Sequence, residues 1–89
     1  MSPTTIVRYN AGGFYQEHRD SGPTLDRIYS FVTYLNGDFT GGSTVFPDRG
    51  MLVKATPGHA VVFPSDELHK GDTVTSGTKF IATTWLLSG

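Results

Sequence analysis

His18, His59 and His69 are the only histidines in this 89-residue chain, and there is no cysteine. Disulfide scaffolds, cysteine nucleophiles and thiolate metal sites are therefore excluded. Any metal must be held by His, Asp or Glu. His18-Arg19-Asp20 is an H-x-D. On a strand, residues i and i+2 share a face, with Cα atoms about 6.5–7 Å apart, so both side chains can meet one cation. On a helix they diverge. His69 comes much later, in a polar segment after Pro64. Two imidazoles and a carboxylate can occupy one face of a metal and leave positions open. Non-haem Fe(II) oxygenases use that set, and some Zn hydrolases use it too.

Lys79 bears on that choice. A hairpin over Gly71 to Gly77 would bring the final strand back beside the His69 segment, with Lys79, Ile81, Thr83 and Trp85 on one face. An inward cation needs an anionic partner, because burying it unpaired is costly. A dicarboxylate chelating the metal at one end would supply one at the other. The plainer alternative has Lys79 opening the strand and reaching out to water. His59 competes for the metal but begins a strand and reads as a hydrogen-bonded structural residue. Asp66 and Glu67 read as a solvated loop. Arg19, between the two candidate ligands, should face the opposite way.

The elements that must position these side chains are short strands. No stretch sustains a helical apolar period, and β-rich runs alternate with turn signals. Thr5 to Tyr9 reads as a strand and Asn10 to Gly13 as a turn. Phe14 to Asp20 reads as extended, ended by Ser21-Gly22-Pro23. Arg27 to Asn36 is the clearest strand, rich in aromatic and β-branched residues. Gly37 to Gly42 reads as a connection before a strand over Ser43 to Phe46. Pro47 to Gly50 reads as a turn. Met51 to Thr56, His59 to Phe63 and Lys79 to Leu87 complete the strands. The expected class is all-β, a sandwich or barrel-like double sheet in a single domain over 1–89.

Composition excludes several classes. Seven basic and eight acidic side chains leave a net charge of −1 without a basic block, so no nucleic-acid partner is expected. No apolar run approaches the ~20 residues that span a bilayer, and Met1 to Thr5 lacks the features of a signal peptide. Without a targeting signal the compartment is not encoded, and the cytoplasm is the default. Eleven Gly and five Pro, with eleven aromatic residues (six Phe, four Tyr, one Trp), describe a turn-rich globular β domain. A chain this short buries only about 60–65% of its unfolded surface, so its apolar core should be thin.

Taken together, the ordered motifs resemble the 2-oxoglutarate- and Fe(II)-dependent dioxygenase superfamily, and within it the prolyl 4-hydroxylase-like branch. The resemblance runs from Val7 to Leu86. It rests on Arg8-Tyr9, Gly13-Phe14-Tyr15 and His18-Arg19-Asp20, then on Phe31 to Asn36 and Phe39 to Pro47, then on Pro57 to Phe63, His69-Lys70-Gly71, Gly77-Thr78-Lys79 and Thr84-Trp85. It implies a double-stranded β-helix, or jelly roll, lacking most of the N-terminal helices that brace the family's major sheet. The bare sheet face would then be exposed, or covered by a partner or a further segment. The resemblance implies His18, Asp20 and His69 as iron ligands and Lys79 as the partner of the far carboxylate of 2-oxoglutarate. Tyr34 would help bind that carboxylate, Tyr9 would lie near the cosubstrate, and Thr83 and Trp85 would line the pocket. On residue type alone Tyr9, Tyr34 and Trp85 read more readily as core aromatics. The implied cofactors are Fe(II), 2-oxoglutarate and O₂, with L-ascorbate as an optional reductant. The implied substrate is a peptide, a protein side chain or a small molecule, with Ser21 to Asp26 and Gly37 to Thr40 flanking the entrance. The rival readings are a non-catalytic jelly-roll binding module and a Zn-dependent hydrolase built on the same triad.

Overall fold

The structure, a computed structural model, describes residues 1–22 and 26–88. Ten strands follow one another: β1 Thr5–Tyr9, β2 Tyr15–His18, β3 Arg27–Tyr34, β4 Phe39–Gly41, β5 Thr44–Phe46, β6 Met51–Val53, β7 Ala60–Pro64, β8 His69–Gly71, β9 Val74–Gly77 and β10 Lys79–Leu87. The helical element among the described residues is a 3₁₀ turn, Pro47–Arg49. Proline's fixed φ suits its first position, and Gly50 ends it at φ 58°.

All the strand pairs among the described residues are antiparallel. One sheet has the order β1-β10-β3-β7 and a second the order β2-β8-β5-β6, with β4 and β9 forming a separate pair. This is the jelly-roll double sheet expected from the sequence. Its central strands, β10 and β3, carry the β-branched and aromatic runs that favour a pleated, half-buried surface. Register assigns their faces. Ile81 pairs with Tyr34, Thr83 with Val32 and Trp85 with Ser30 on the inward face, while Ala82, Thr84 and Leu86 pair outward with Thr33, Phe31 and Tyr29.

The interior is not a conventional apolar core. Among the described residues Tyr34, Phe46, Phe63, Val74 and Ile81 are its buried hydrophobic members, against six buried polar or charged residues: Asp20, Ser30, Thr44, Ser65, His69 and Lys79. Polar groups are buried only where hydrogen bonds or charges compensate them. Such an interior therefore marks a site as much as a core.

Five details depart from the sequence reading, the first being that Val74–Gly77, read as part of a hairpin turn, is itself a strand. Phe39–Gly41 is a strand and not merely a connection, because it pairs with β9. His69 is not in a loop: it opens β8, a three-residue strand too short and glycine-bounded to stand out in sequence. Strand β10 does not return beside the His69 segment within one sheet. It belongs to the opposite sheet and faces β8 across the sandwich. The extended segment stops at His18, so Asp20 lies in a bend past β2. There the carbonyl of Ser65 accepts hydrogen bonds from both Asp20 N (2.9 Å) and Ser21 N (3.0 Å).

Candidate functional site

Antiparallel pairing of β2 with β8 sets His18 directly opposite His69, and their ring centroids lie 4.3 Å apart. The bend after β2 adds Asp20. Ligand-capable atoms of His18, Asp20 and His69 all lie within 4.8 Å of one another. His18 Nε2 is 3.0 Å and His69 Nε2 3.4 Å from Asp20 Oδ1.

The other nitrogen of each ring is committed. His18 Nδ1 donates to the Gln16 carbonyl at 2.7 Å and His69 Nδ1 to the Glu67 carbonyl at 2.9 Å. In the neutral tautomer both Nε2 atoms therefore carry lone pairs aimed at a carboxylate oxygen, an arrangement that needs a proton or a cation between them. This donor set, two imidazoles and one carboxylate oxygen, fits a divalent transition metal.

The electrostatics agree. Burial alone would raise the Asp20 carboxyl, but hydrogen bonds from His69, Ser30 and Trp85 outweigh it and hold the group well below the usual carboxylate range. Burial would lower His69, yet the Asp20 carboxylate, aided by the Glu67 carbonyl, raises it above the ordinary histidine value. In the absence of metal the proton takes the cation's place.

The site opens into a cavity of about 290 Å³ between the two sheets, lined from β10 by Lys79, Ile81, Thr83 and Trp85. The expected single-faced stripe is thus realised, with its two ends doing different work. Trp85 reaches the metal side, where its indole N–H donates to Asp20 Oδ2 at 3.1 Å. Lys79 is 4% exposed. Its ammonium donates to the Gly42 carbonyl at 2.8 Å and lies 5.0 Å from the centre of the Tyr9 ring. Among the described residues no carboxylate pairs with it within 4.0 Å. Burial lowers its pKa, which Asp72 partly offsets. One neutral carbonyl and one aromatic face under-satisfy a buried ammonium, and a carboxylate would complete its surroundings. Gly42, at φ 69°, keeps the space: a Cβ there would sit 2.9 Å from the Lys79 Cδ.

The remaining candidates divide. Tyr9 lines the cavity beside Lys79, and burial raises its phenol. Tyr34 does not line it. Its hydroxyl is 2.6 Å from Thr44 Oγ1, and Thr44 is the residue facing the cavity. His59 is exposed and outside the cluster, and only its backbone is engaged: its carbonyl accepts from Tyr34 N. Arg19 points away as expected, donating to the Asp66 carbonyl. Glu67 is more than solvated loop, since it accepts from Arg49 Nε at 2.9 Å while its carbonyl orients His69. Residues 37–40 contribute nothing to the lining, being engaged in or beside β4. Of Ser21 to Asp26, residues 23–25 lie outside the described residues.

Sequence reasoning missed Ser30, Ser65, Thr44, Tyr15 and Arg27. Ser30 hydrogen-bonds Asp20 Oδ2 at 2.6 Å. Tyr15 stacks against His18 with centroids 4.1 Å apart, and the Arg27 guanidinium lies 3.8 Å over Trp85. The available signal was a small hydroxyl residue on the inward parity of the otherwise apolar β3.

Comparison with known proteins agrees with this geometry. The family model of the 2OG-Fe(II) oxygenase superfamily matches residues 4–87. A PKHD-type hydroxylase of Acaryochloris marina is 36% identical, the match covering 91% of this chain and 40% of that protein. The viral collagen prolyl hydroxylase of Paramecium Bursaria Chlorella virus-1, solved as its 2OG complex, superposes with a TM-score of 0.86 at 27% identity, covering 97% of this chain and 58% of that one. A Pseudomonas putida prolyl-4-hydroxylase gives 0.83 at 27% identity, covering 97% and 52%. The chain thus spans about 40% of that curated relative and somewhat over half of those two solved chains. With the matched region running nearly end to end and a His-Asp-His cluster at its centre, the chain belongs to the 2OG-Fe(II) oxygenase superfamily.

Proposed function

We propose that this chain forms the catalytic unit of a prolyl 4-hydroxylase-like hydroxylase dependent on Fe(II) and 2-oxoglutarate, with residues 1–89 acting as one domain. The observation that carries the reading is the pairing, in one cavity, of a three-donor cluster with a buried ammonium that has no carboxylate partner among the described residues. Iron with its cosubstrate and O₂ would supply the oxidation, in which 2-oxoglutarate becomes succinate and CO₂ and a substrate C–H becomes C–OH.

The chain's own residues bind and orient. His18 and His69 present Nε2 because their Nδ1–H groups are held by carbonyls, and Asp20 presents Oδ1. Lys79 pairs with the far carboxylate of 2-oxoglutarate, where charge-assisted bonding is strongest. The Thr44 hydroxyl, backed by Tyr34, supports that end, and Tyr9, Thr83 and Trp85 form the walls. A Zn hydrolase has no use for an ammonium set opposite the metal, and a pure binding module would give no succinate.

The substrate proposed is a prolyl residue in a peptide, a choice supported by the prolyl hydroxylases among the similar proteins. Ascorbate is proposed as an accessory reductant that prolongs turnover without being required for it. Prolyl peptides incubated with the protein, Fe(II), 2-oxoglutarate and air should stimulate succinate release and gain one oxygen in mass. Succinate release stimulated by a non-prolyl substrate alone would refute the prolyl assignment, and tight Zn binding with no cosubstrate binding would refute the oxygenase reading.

A further inference from the structure

Asp20 is the sole carboxylate in the cluster, and its two oxygens are treated very differently. Oδ1 faces the two imidazoles. Oδ2 receives two donors, Ser30 Oγ at 2.6 Å and Trp85 Nε1 at 3.1 Å. These donors are cross-strand partners, Trp85 of β10 lying directly opposite Ser30 of β3. Their convergence on one oxygen follows from the sheet register.

A second layer lies behind them. Ser65 Oγ is 3.0 Å from Ser30 Oγ, and Ser30 and Ser65 are 1% and 0% exposed. An ionised carboxylate can only accept, so Ser30 must donate to it and its own lone pair is left for Ser65. The hydroxyls therefore run one way, from Ser65 to Ser30 to Asp20, each polarising the next. The Ser65 carbonyl meanwhile takes the backbone N–H groups of Asp20 and Ser21, so one residue fixes both the bend and the carboxylate within it. On the other side Arg27 clamps the indole, stacking over it at 3.8 Å and donating to the Asp20 carbonyl at 3.3 Å.

We infer that Ser30, Ser65 and Trp85 are positioning residues that confine Asp20 to one-oxygen ligation. They occupy Oδ2 and leave Oδ1 for the metal. The inference rests on the metal reading of the site. It adds that the carboxylate's coordination mode is imposed by a buried hydroxyl chain and an indole from the opposite strand. Without them the carboxylate would rotate, and both oxygens would compete for the metal.

Co(II) titration followed by visible absorption tests this without turnover. Wild-type protein should bind Co(II) in a manner abolished by His18→Ala. Ser30→Ala should weaken binding about tenfold, within the range typical of lost outer partners, and should change the ligand-field bands as coordination changes. Ser30→Thr, which keeps the hydroxyl, should recover most of the affinity and the original bands. Ser65→Ala should move both readouts in the same direction by less. Trp85→Phe, at a less buried position, should change the bands too, and decides the question if the Ser30 variants do not fold. Wild-type affinity and bands in Ser30→Ala, or in Trp85→Phe, would overturn the inference while leaving the metal site standing. Equal impairment in folded Ser30→Ala and Ser30→Thr would overturn it as well. Failure of the wild type to bind Co(II) would overturn the metal reading and this inference together.

Discussion

In the proposed function, two residues serve the site in opposite ways. Lys79 acts as a fixed cation. Removing it as Lys79→Ala should weaken 2-oxoglutarate binding roughly 10–100-fold, the equivalent of a charge-assisted hydrogen bond, and leave metal affinity within about twofold. Parallel titrations with Co(II) and with 2-oxoglutarate would check the split. His69 is the titrating partner. Its pKa is raised because Asp20 favours the imidazolium. In the metal-free protein that proton contributes stability in full below the ordinary histidine value of about 6.5 and loses it as pH rises through the elevated value. The Asp20 carboxyl is depressed, so its contribution is present above about 3.9 and is lost as pH falls through its lower folded value. Metal must displace the His69 proton. Co(II) affinity should therefore fall at least about tenfold per pH unit below the raised pKa. Binding that does not change between pH 5 and pH 7 would contradict this. His18 and Asp20 stood out by residue type and their i, i+2 spacing, whereas His69 and Lys79, far along the chain, stood out by residue type and by the family resemblance. Ser30 and Ser65 did not, because a serine is chemically quiet until a register sets it beside a carboxylate.

At the scale of the elements, the site depends on where strands cross. β2 and β8 are only four and three residues long, yet their pairing joins the two histidines. Strand β10 faces them from the other sheet. The sequence pattern gave the long strands β3 and β10 readily, since eight or nine alternating residues carry enough signal. It missed β4 and β9 and misread β8, because strands of three or four residues with glycine at one end look like turns. It also put β10 beside β8, because a hairpin is the shortest connection and a crossing to the opposite sheet leaves no local trace. Gly42 shows how tightly the backbone beside β4 is fitted to Lys79. A side chain at its φ of 69° costs about 1–2 kcal/mol, and a Cβ would press on Lys79 and Phe39. Gly42→Ala should lower the melting temperature and weaken 2-oxoglutarate more than Co(II), as read by thermal denaturation and the same two titrations.

For the molecule as a whole, the balance is between a polar interior and an apolar exterior. The outward face of the β1-β10-β3-β7 sheet carries Ile6, Tyr29, Val62, Phe80 and Leu86, all exposed. An apolar face of this kind favours association. The chain at micromolar concentration should self-associate or bind a hydrophobic dye, and Ile6→Lys with Val62→Lys should suppress both without altering Co(II) affinity. Light scattering and dye fluorescence would check it. With so few buried apolar side chains, the bound metal should matter for stability. At a hundredfold excess over Kd, ligand linkage adds about 2.7 kcal/mol, equivalent in a domain of this size to a rise of roughly 10–20 °C in Tm.

The central claim is that one cavity holds a metal on His18, Asp20 and His69 and a diacid on Lys79. Its most direct test is anaerobic titration of 2-oxoglutarate into the Fe(II)-loaded protein, followed in the visible and then exposed to air. The account predicts a charge-transfer band that saturates at one cosubstrate per chain and succinate formation on oxygenation. His18→Ala should lose both, while Lys79→Ala should develop the band only at far higher 2-oxoglutarate. A band of undiminished intensity and affinity in both variants would contradict it.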